Sequence, residues 1–139
     1  MLNENAVVGN ISAYLGKNGY KILKTCSTME KGYDICAERN GKILYVEAKG
    51  QTSSKKSPRF GKEFSYSQKK THIAMAIFKT LSTLNEKKAG EFAIALPFDD
   101  GHAELIRKVL PSLIKMKIKV FLVEESGDIV EIQKNGLLV

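Results

Sequence analysis

Between residues 2 and 18 the apolar side chains Val7, Ile11, Tyr14 and Leu15 recur at i, i+4, i+7 and i+8. That spacing is one face of a helix, and Gly19 supplies its stop. Three short stretches rich in β-branched and aromatic residues follow: Tyr20 to Cys26, Tyr33 to Glu38 and Lys42 to Lys49. They are separated by turn chemistry at Lys31-Gly32 and Asn40-Gly41, the second of which is a strong hairpin signal. Residues 50–62, GQTSSKKSPRFGK, read as a connecting loop rich in Gly, Ser and Lys. From Ser65 the residues Tyr66, Ile73, Ile77, Leu81 and Leu84 return to helical spacing, and the stretch from Asn85 to Gly90 closes that helix. Glu91 to Phe98 fits a short buried strand. Asp99-Asp100-Gly101 then offers capping carboxylates to a third helical pattern through Leu105, Ile106, Val109, Leu110, Leu113 and Ile114. Pro111 within it predicts a kink or a restart. Lys119 to Glu124 and Asp128 to Ile132 read as a last strand pair around Ser126-Gly127. The order α-β-β-β-α-β-α-β-β predicts an α/β fold, a mixed sheet flanked by helices on both faces. Tyr14, Tyr20 and Phe78 are expected in its core.

Composition narrows the class. The 139 residues are 43% hydrophobic and 27% charged, which excludes a disordered acidic tail. No apolar run approaches the ~18 residues of a membrane span. The N-terminal MLNENAVVGN has neither a basic segment nor a continuous apolar stretch, so it reads as mature sequence of a cytoplasmic protein without membrane contact. Two cysteines, Cys26 and Cys36, and two histidines, His72 and His102, are too few and too scattered for a four-ligand zinc site. The cysteines are expected reduced, as small core residues. With no internal repeat or linker, residues 1–139 read as a single domain, a core over 1–98 followed by a C-terminal helix and strand pair over 99–139.

The net charge of +7 is concentrated. Residues 49–70 hold seven basic side chains (Lys49, Lys55, Lys56, Arg59, Lys62, Lys69, Lys70) against one acidic, Glu63. Such a local field is the footprint of a nucleic-acid-binding edge, or else of a solvated lysine-rich loop. Phe60 and Tyr66 beside it are candidates for stacking on bases.

The chemistry-bearing stretch is Gly32-Tyr33-Asp34-Ile35, then the hairpin, then Leu44-Tyr45-Val46-Glu47-Ala48-Lys49-Gly50. Side chains alternate along a strand, so Leu44, Val46 and Ala48 face one side while Tyr45, Glu47 and Lys49 face the other. The Asn40-Gly41 turn brings Asp34 alongside them. Two carboxylates can hold Mg²⁺, a hard cation that prefers oxygen ligands, and a nearby lysine can orient a water and offset charge building on a phosphoryl group. The competing reading is an ion-pair ladder on an exposed sheet face, worth little to stability.

Asp34 followed by Glu47-Ala48-Lys49 resembles the signature of the PD-(D/E)xK nuclease superfamily, with Tyr33 where the family has proline. The element order over residues 1–98 is similar to that family's αβββαβ core, the restriction-endonuclease-like fold. The resemblance implies metal ligation by Asp34, Glu47 and the Ala48 carbonyl, with Lys49 as the catalytic lysine and Mg²⁺ or Mn²⁺ as cofactor. It makes Glu4 a candidate assisting acid, although a carboxylate in a first helical turn also complements the helix dipole. Gln68 matches a position where Holliday junction resolvases often carry glutamine, and equally closes the capping box Ser65-x-x-Gln68.

These readings converge on an endonuclease acting on DNA, either structure-selective (junction or repair) or restriction-type. Lys55, Lys56, Arg59, Lys62, Lys69 and Lys70 would contact the phosphate backbone. A homodimer is expected, because one site cuts one strand per encounter; a partner or specificity subunit is a further expectation. The alternatives are a catalytically inactive nucleic-acid-binding module and an interaction subunit of a larger complex.

Overall fold

A computed structural model describes residues 1–25, 32–53, 57–58, 61–87 and 90–132. Cys26, Lys55, Lys56, Arg59 and Phe60 lie outside the described residues. The elements are α1 (Glu4–Lys17), β1 (Lys21–Thr25), β2 (Ile35–Arg39), β3 (Lys42–Ala48), α2 (Tyr66–Lys87), β4 (Glu91–Pro97), α3 (Asp100–Lys115), β5 (Ile118–Val123) and β6 (Ile129–Glu131).

Their six strands form one mixed sheet in sequence order, β1 to β6. The β1–β2, β2–β3 and β5–β6 pairs are antiparallel, while β3–β4 and β4–β5 are parallel. Asn40 and Gly41, with φ of 54° and 78°, make the turn between β2 and β3. Two consecutive left-handed residues match the twist of a two-residue hairpin, and Asn and Gly are the residues that tolerate it. The two parallel connections are the helical crossovers α2 and α3, and right-handed crossovers in the same direction across a sheet put both helices on one face.

Strand parity then builds two cores. On the face of α1, Val7, Ile11 and Leu15 pack on Ile35, Ala37, Leu44, Val46, Ala48, Ala93 and Ala95. The alanines of β4 leave room for the helix to approach the middle of the sheet. On the opposite face, Cys36, Tyr45, Phe92, Ile94, Leu96, Val120 and Leu122 meet Ile73 and Ala76 of α2 and Leu105, Ile106, Leu110 and Leu113 of α3. Tyr33, Tyr45 and Phe92 form an aromatic cluster there, with centroid separations of 5.4 to 6.2 Å, in which Tyr45 and Phe92 stack and Tyr33 is tilted against both.

One expectation needs correction, and of the kink or restart expected at Pro111 the restart is absent. Phe78 is 76% exposed, not core. It stands on the outer face of α2, where Met75 is also exposed. α3 continues through Pro111 without a restart. Pro111 and Arg107 both lie on the exposed face of the helix, so the carbonyl that loses its donor can be hydrated instead. Among the described residues no helix is long and apolar enough to cross a membrane.

Candidate active site

The site forms where β3 ends and β2 begins. The Asp34 backbone N–H donates to the Val46 carbonyl at 3.1 Å. Its side chain does a second job: Asp34 Oδ2 accepts from the Ala48 N–H at 2.8 Å, closing the ladder beyond the point where β2 starts. The carboxylate is thereby fixed at the end of β3. Glu47 and Lys49 share the face predicted for them, and Lys49 Nζ lies 3.7 Å from Glu47 Oε2. An exposed ladder would leave Glu47 in water, but it is only 7% exposed. A carboxylate this buried requires partners.

The second partner of Glu47 is Lys79, from the middle of α2. Lys79 Nζ donates to Glu47 Oε1 at 2.9 Å and to the Gly32 carbonyl at 2.8 Å, and lies 4.8 Å from the centre of the Tyr33 ring. Burial and the like charge of Asp34 push the Glu47 carboxyl above its ordinary value, while Lys79 and Lys49 pull it back. Both lysines therefore favour the ionised form of Glu47.

Glu4 joins from α1. The chain leaving β3 runs beside the N-terminal segment: Gln51 N–H donates to the Leu2 carbonyl at 2.8 Å, and Leu2 N–H returns a bond to Gln51 Oε1 at 2.7 Å. Thr52 bridges both Asn3 and Glu63. Gly50 makes this approach possible, since a Cβ there would sit 2.5 Å from the Glu4 backbone nitrogen and 2.7 Å from the Asn3 carbonyl carbon. The result is a cleft of about 310 Å³ with Glu4, Lys49, Thr52, Phe64 and His72 on its walls. Glu4 is open to solvent on one side, yet partial desolvation and the charge of Asp34 raise its carboxyl. Glu47 adds to the rise; Lys49 and Lys79 oppose it. His72 packs edge-on against Phe64 at 4.7 Å. Desolvation, then Lys49 and His102, lower its proton affinity, so it is neutral at pH 7.

The remaining candidates divide. Gln68 is engaged in the capping box: Ser65 N–H donates to Gln68 Oε1 at 2.8 Å, and Gln68 N–H donates to Ser65 Oγ at 3.1 Å. Lys62 and Lys70 are exposed, as a backbone-contacting role requires. Lys69 is not: it is 4% exposed, paired with Glu63 and 3.1 Å from Asp99 Oδ1, so its charge is spent inside the protein and it leaves the proposed phosphate-binding set. Tyr66 is exposed, with its hydroxyl 3.4 Å from Glu104 Oε1.

Lys69 belongs to a buried hub that the sequence does not announce. Asp99 caps α3 by accepting from His102 N–H at 2.8 Å, and also receives His102 Nδ1 at 2.7 Å and Gln51 Nε2 at 3.0 Å. Burial alone would raise the Asp99 carboxyl, but the hydrogen bonds and attraction of His102, with Lys69 behind them, outweigh it and hold it at about 2. This hub ties the loop after β3 to α2 and α3, and so fixes one wall of the cleft.

Among the described residues no three His, Cys, Asp or Glu side chains gather as a metal cluster. The oxygen donors present are the Asp34 and Glu47 carboxylates and the Ala48 carbonyl, a set that suits a hard cation completed by water.

No protein-family profile matches this sequence, and no curated protein does. Solved structures do resemble it. An fdxN element excision controlling factor protein from Anabaena variabilis superposes with a TM-score of 0.58 at 20% identity, over 93% of this chain and 99% of that one. An XisH family protein from Nostoc punctiforme gives 0.55 at 18% identity, over 89% and 95%. SfsA of Pyrococcus furiosus in complex with Ca²⁺ gives 0.43 at 16% identity, over 91% of this chain and 60% of that one. The first two likenesses establish a shared fold, a mixed α/β architecture with a six-stranded sheet and three helices in this chain.

Proposed function

We propose that this chain is a divalent-metal-dependent endonuclease of the PD-(D/E)xK type that hydrolyses DNA phosphodiester bonds. The observation that carries this reading is the buried pairing of Glu47 with Lys49 beside the anchored carboxylate of Asp34, at the open end of a sheet. The element order αβββαβ through β4 supports a restriction-endonuclease-like core. A DNA-directed role is also in keeping with the name of one similar fold, an element excision controlling factor.

Asp34, Glu47 and the Ala48 carbonyl would hold Mg²⁺ or Mn²⁺. When bound, the ion neutralises charge on the phosphoryl oxygens and lowers the pKa of a water. Lys49 stands at the cleft edge of the carboxylate pair, where its ammonium orients the attacking water and offsets the developing negative charge. Glu4 faces the same cleft with a raised carboxyl and takes the part of an assisting acid. Lys62 and Lys70, with Lys55, Lys56 and Arg59, would supply phosphate contacts without sequence information. Selectivity then comes from DNA structure, as in junction or repair nucleases, or from a restriction-type or partner subunit, and a homodimer would allow both strands to be cut.

A second reading has one observation in its favour. Lys79 already occupies Glu47 Oε1, as it would in an inactive nucleic-acid-binding module whose acidic pair is neutralised internally. Incubation of supercoiled plasmid and a four-way DNA junction with Mg²⁺, Mn²⁺ or EDTA separates the two. Metal-dependent nicking supports the nuclease, and preference for the junction supports structure selection. Metal-independent binding without cleavage supports the inactive module.

A further inference from the structure

Lys79 is the charged group of the site to which the proposed hydrolysis gives no part. It reaches Glu47 across 32 residues of sequence, from a helix whose neighbouring turns pack into the core. Its own backbone is held in place, with the Lys79 carbonyl accepting from Tyr33 Oη at 3.3 Å and from Thr83 Oγ1 at 3.0 Å. The ammonium has three electronegative neighbours: Glu47 Oε1, the Gly32 carbonyl and the face of the Tyr33 ring. Only the first is a group that a divalent cation also needs.

A cation bound through Glu47 would lie within a few ångströms of this ammonium in a half-buried site, where like charges repel far more strongly than in water. Lys79 would have to release Oε1. It can do so without being stranded, because the Gly32 carbonyl and the Tyr33 ring remain as partners that do not depend on Glu47. Lys49 does not compete in the same way, since its 3.7 Å separation from Oε2 is longer than a hydrogen bond.

We propose that Lys79 is an internal counter-ion that occupies Glu47 in the absence of a divalent cation and thereby sets the cation affinity of the site. The inference rests on the reading of Asp34 and Glu47 as cation ligands. It makes Lys79 a positioning residue, acting on the cation through Glu47.

Calorimetric titration with Mn²⁺, without DNA, tests this in the wild type, Lys79→Met, Lys79→Gln and Lys79→Arg, each first checked for a cooperative thermal transition. Met removes the charge and the donors; Gln removes the charge and keeps a donor, and serves if the Met variant fails to fold. The expected result is Mn²⁺ binding tighter by on the order of tenfold in the neutral variants, with Lys79→Arg close to wild type. A lysine that merely supported the fold would leave the affinity unchanged or weaken it when removed, and either result in a folded neutral variant overturns the proposal while sparing the metal site. Absence of Mn²⁺ binding in wild type and every folded variant overturns the metal reading and this proposal together.

Discussion

Replacing Asp99 by asparagine removes the one charge that four donors share: the His102 N–H, His102 Nδ1, Lys69 Nζ and Gln51 Nε2, at 2.7 to 3.1 Å. Its carboxyl is held at about 2 in the folded chain against an ordinary 3.8. At about 1.4 kcal/mol per unit, that difference amounts to roughly 2 kcal/mol of folding stability. With its side chain only 15% exposed, little of this is lost to solvent screening. Because the folded value lies below the unfolded one, the folded state binds this proton more weakly. The contribution is complete above the unfolded value of 3.8 and fades as pH falls toward 2. Asp99→Asn is therefore expected to lose about 2 to 3 kcal/mol at pH 7, the upper end reflecting a buried Lys69 left with Glu63 alone. The gap to wild type should narrow to under about 1 kcal/mol near pH 2, where the native carboxyl is itself half protonated. Urea unfolding followed by far-UV circular dichroism between pH 7 and pH 2 reads both values. A gap that stays constant through the acid range, or no loss at pH 7, would show that the Asp99 charge does not stabilise the fold.

Three further outcomes follow from the geometry. Gly50→Ala drives a methyl to 2.5 Å from the Glu4 backbone nitrogen, against backbone that has no rotamer to yield. It should cost about 3 kcal/mol, a fall of roughly 10 °C in Tm by calorimetry; an unchanged transition would contradict the contact between the N-terminal segment and the chain after β3. Replacing Lys62 and Lys70 together by alanine should reduce the salt dependence of DNA binding, lowering the slope of log K against log salt by about 2 if both contact phosphate. Lys69→Met should leave that slope unchanged and instead lower stability by about 1 to 2 kcal/mol in urea unfolding, because Asp99 keeps its His102 and Gln51 donors and Glu63 is open to water.

Local physics accounts for what the sequence made legible. The Val7, Ile11 and Leu15 stripe, the Asn40-Gly41 turn and the alternation from Leu44 to Lys49 depend on neighbours within a few residues, and each is borne out in the structure. The same alternation puts Glu47 and Lys49 on one face, and the hairpin brings Asp34 to them. Lys79 was not legible: in α2 it sits among residues such as Met75, Phe78 and Ser82 that face solvent, and only the crossover geometry aims it at a carboxylate on the preceding strand, 32 residues earlier. Spacing offers one faint signal, since His72 and Lys79 are separated by two helical turns and both reach the site. The Asp99 hub draws on Gln51, Lys69 and His102 from three separate segments, so only its capping half, Asp99 at the start of α3, could be read. Charge counting alone also misplaced Lys69, because a run of lysines does not say which of them folds inward. Phe78 misled in the other direction: periodicity marks an apolar face but not whether anything covers it.

The roles of Asp34 and Lys49 in cleavage are tested most directly by single-turnover cleavage of a DNA substrate by wild type, Asp34→Ala and Lys49→Ala, at protein concentrations giving matched DNA binding. The wild type should cleave in an Mn²⁺- or Mg²⁺-dependent way, and both variants should lose at least about 100-fold in rate with binding retained. Cleavage that persists in both variants, or binding without cleavage in any of the three proteins under either metal, rules out the nuclease site at Asp34 and Lys49.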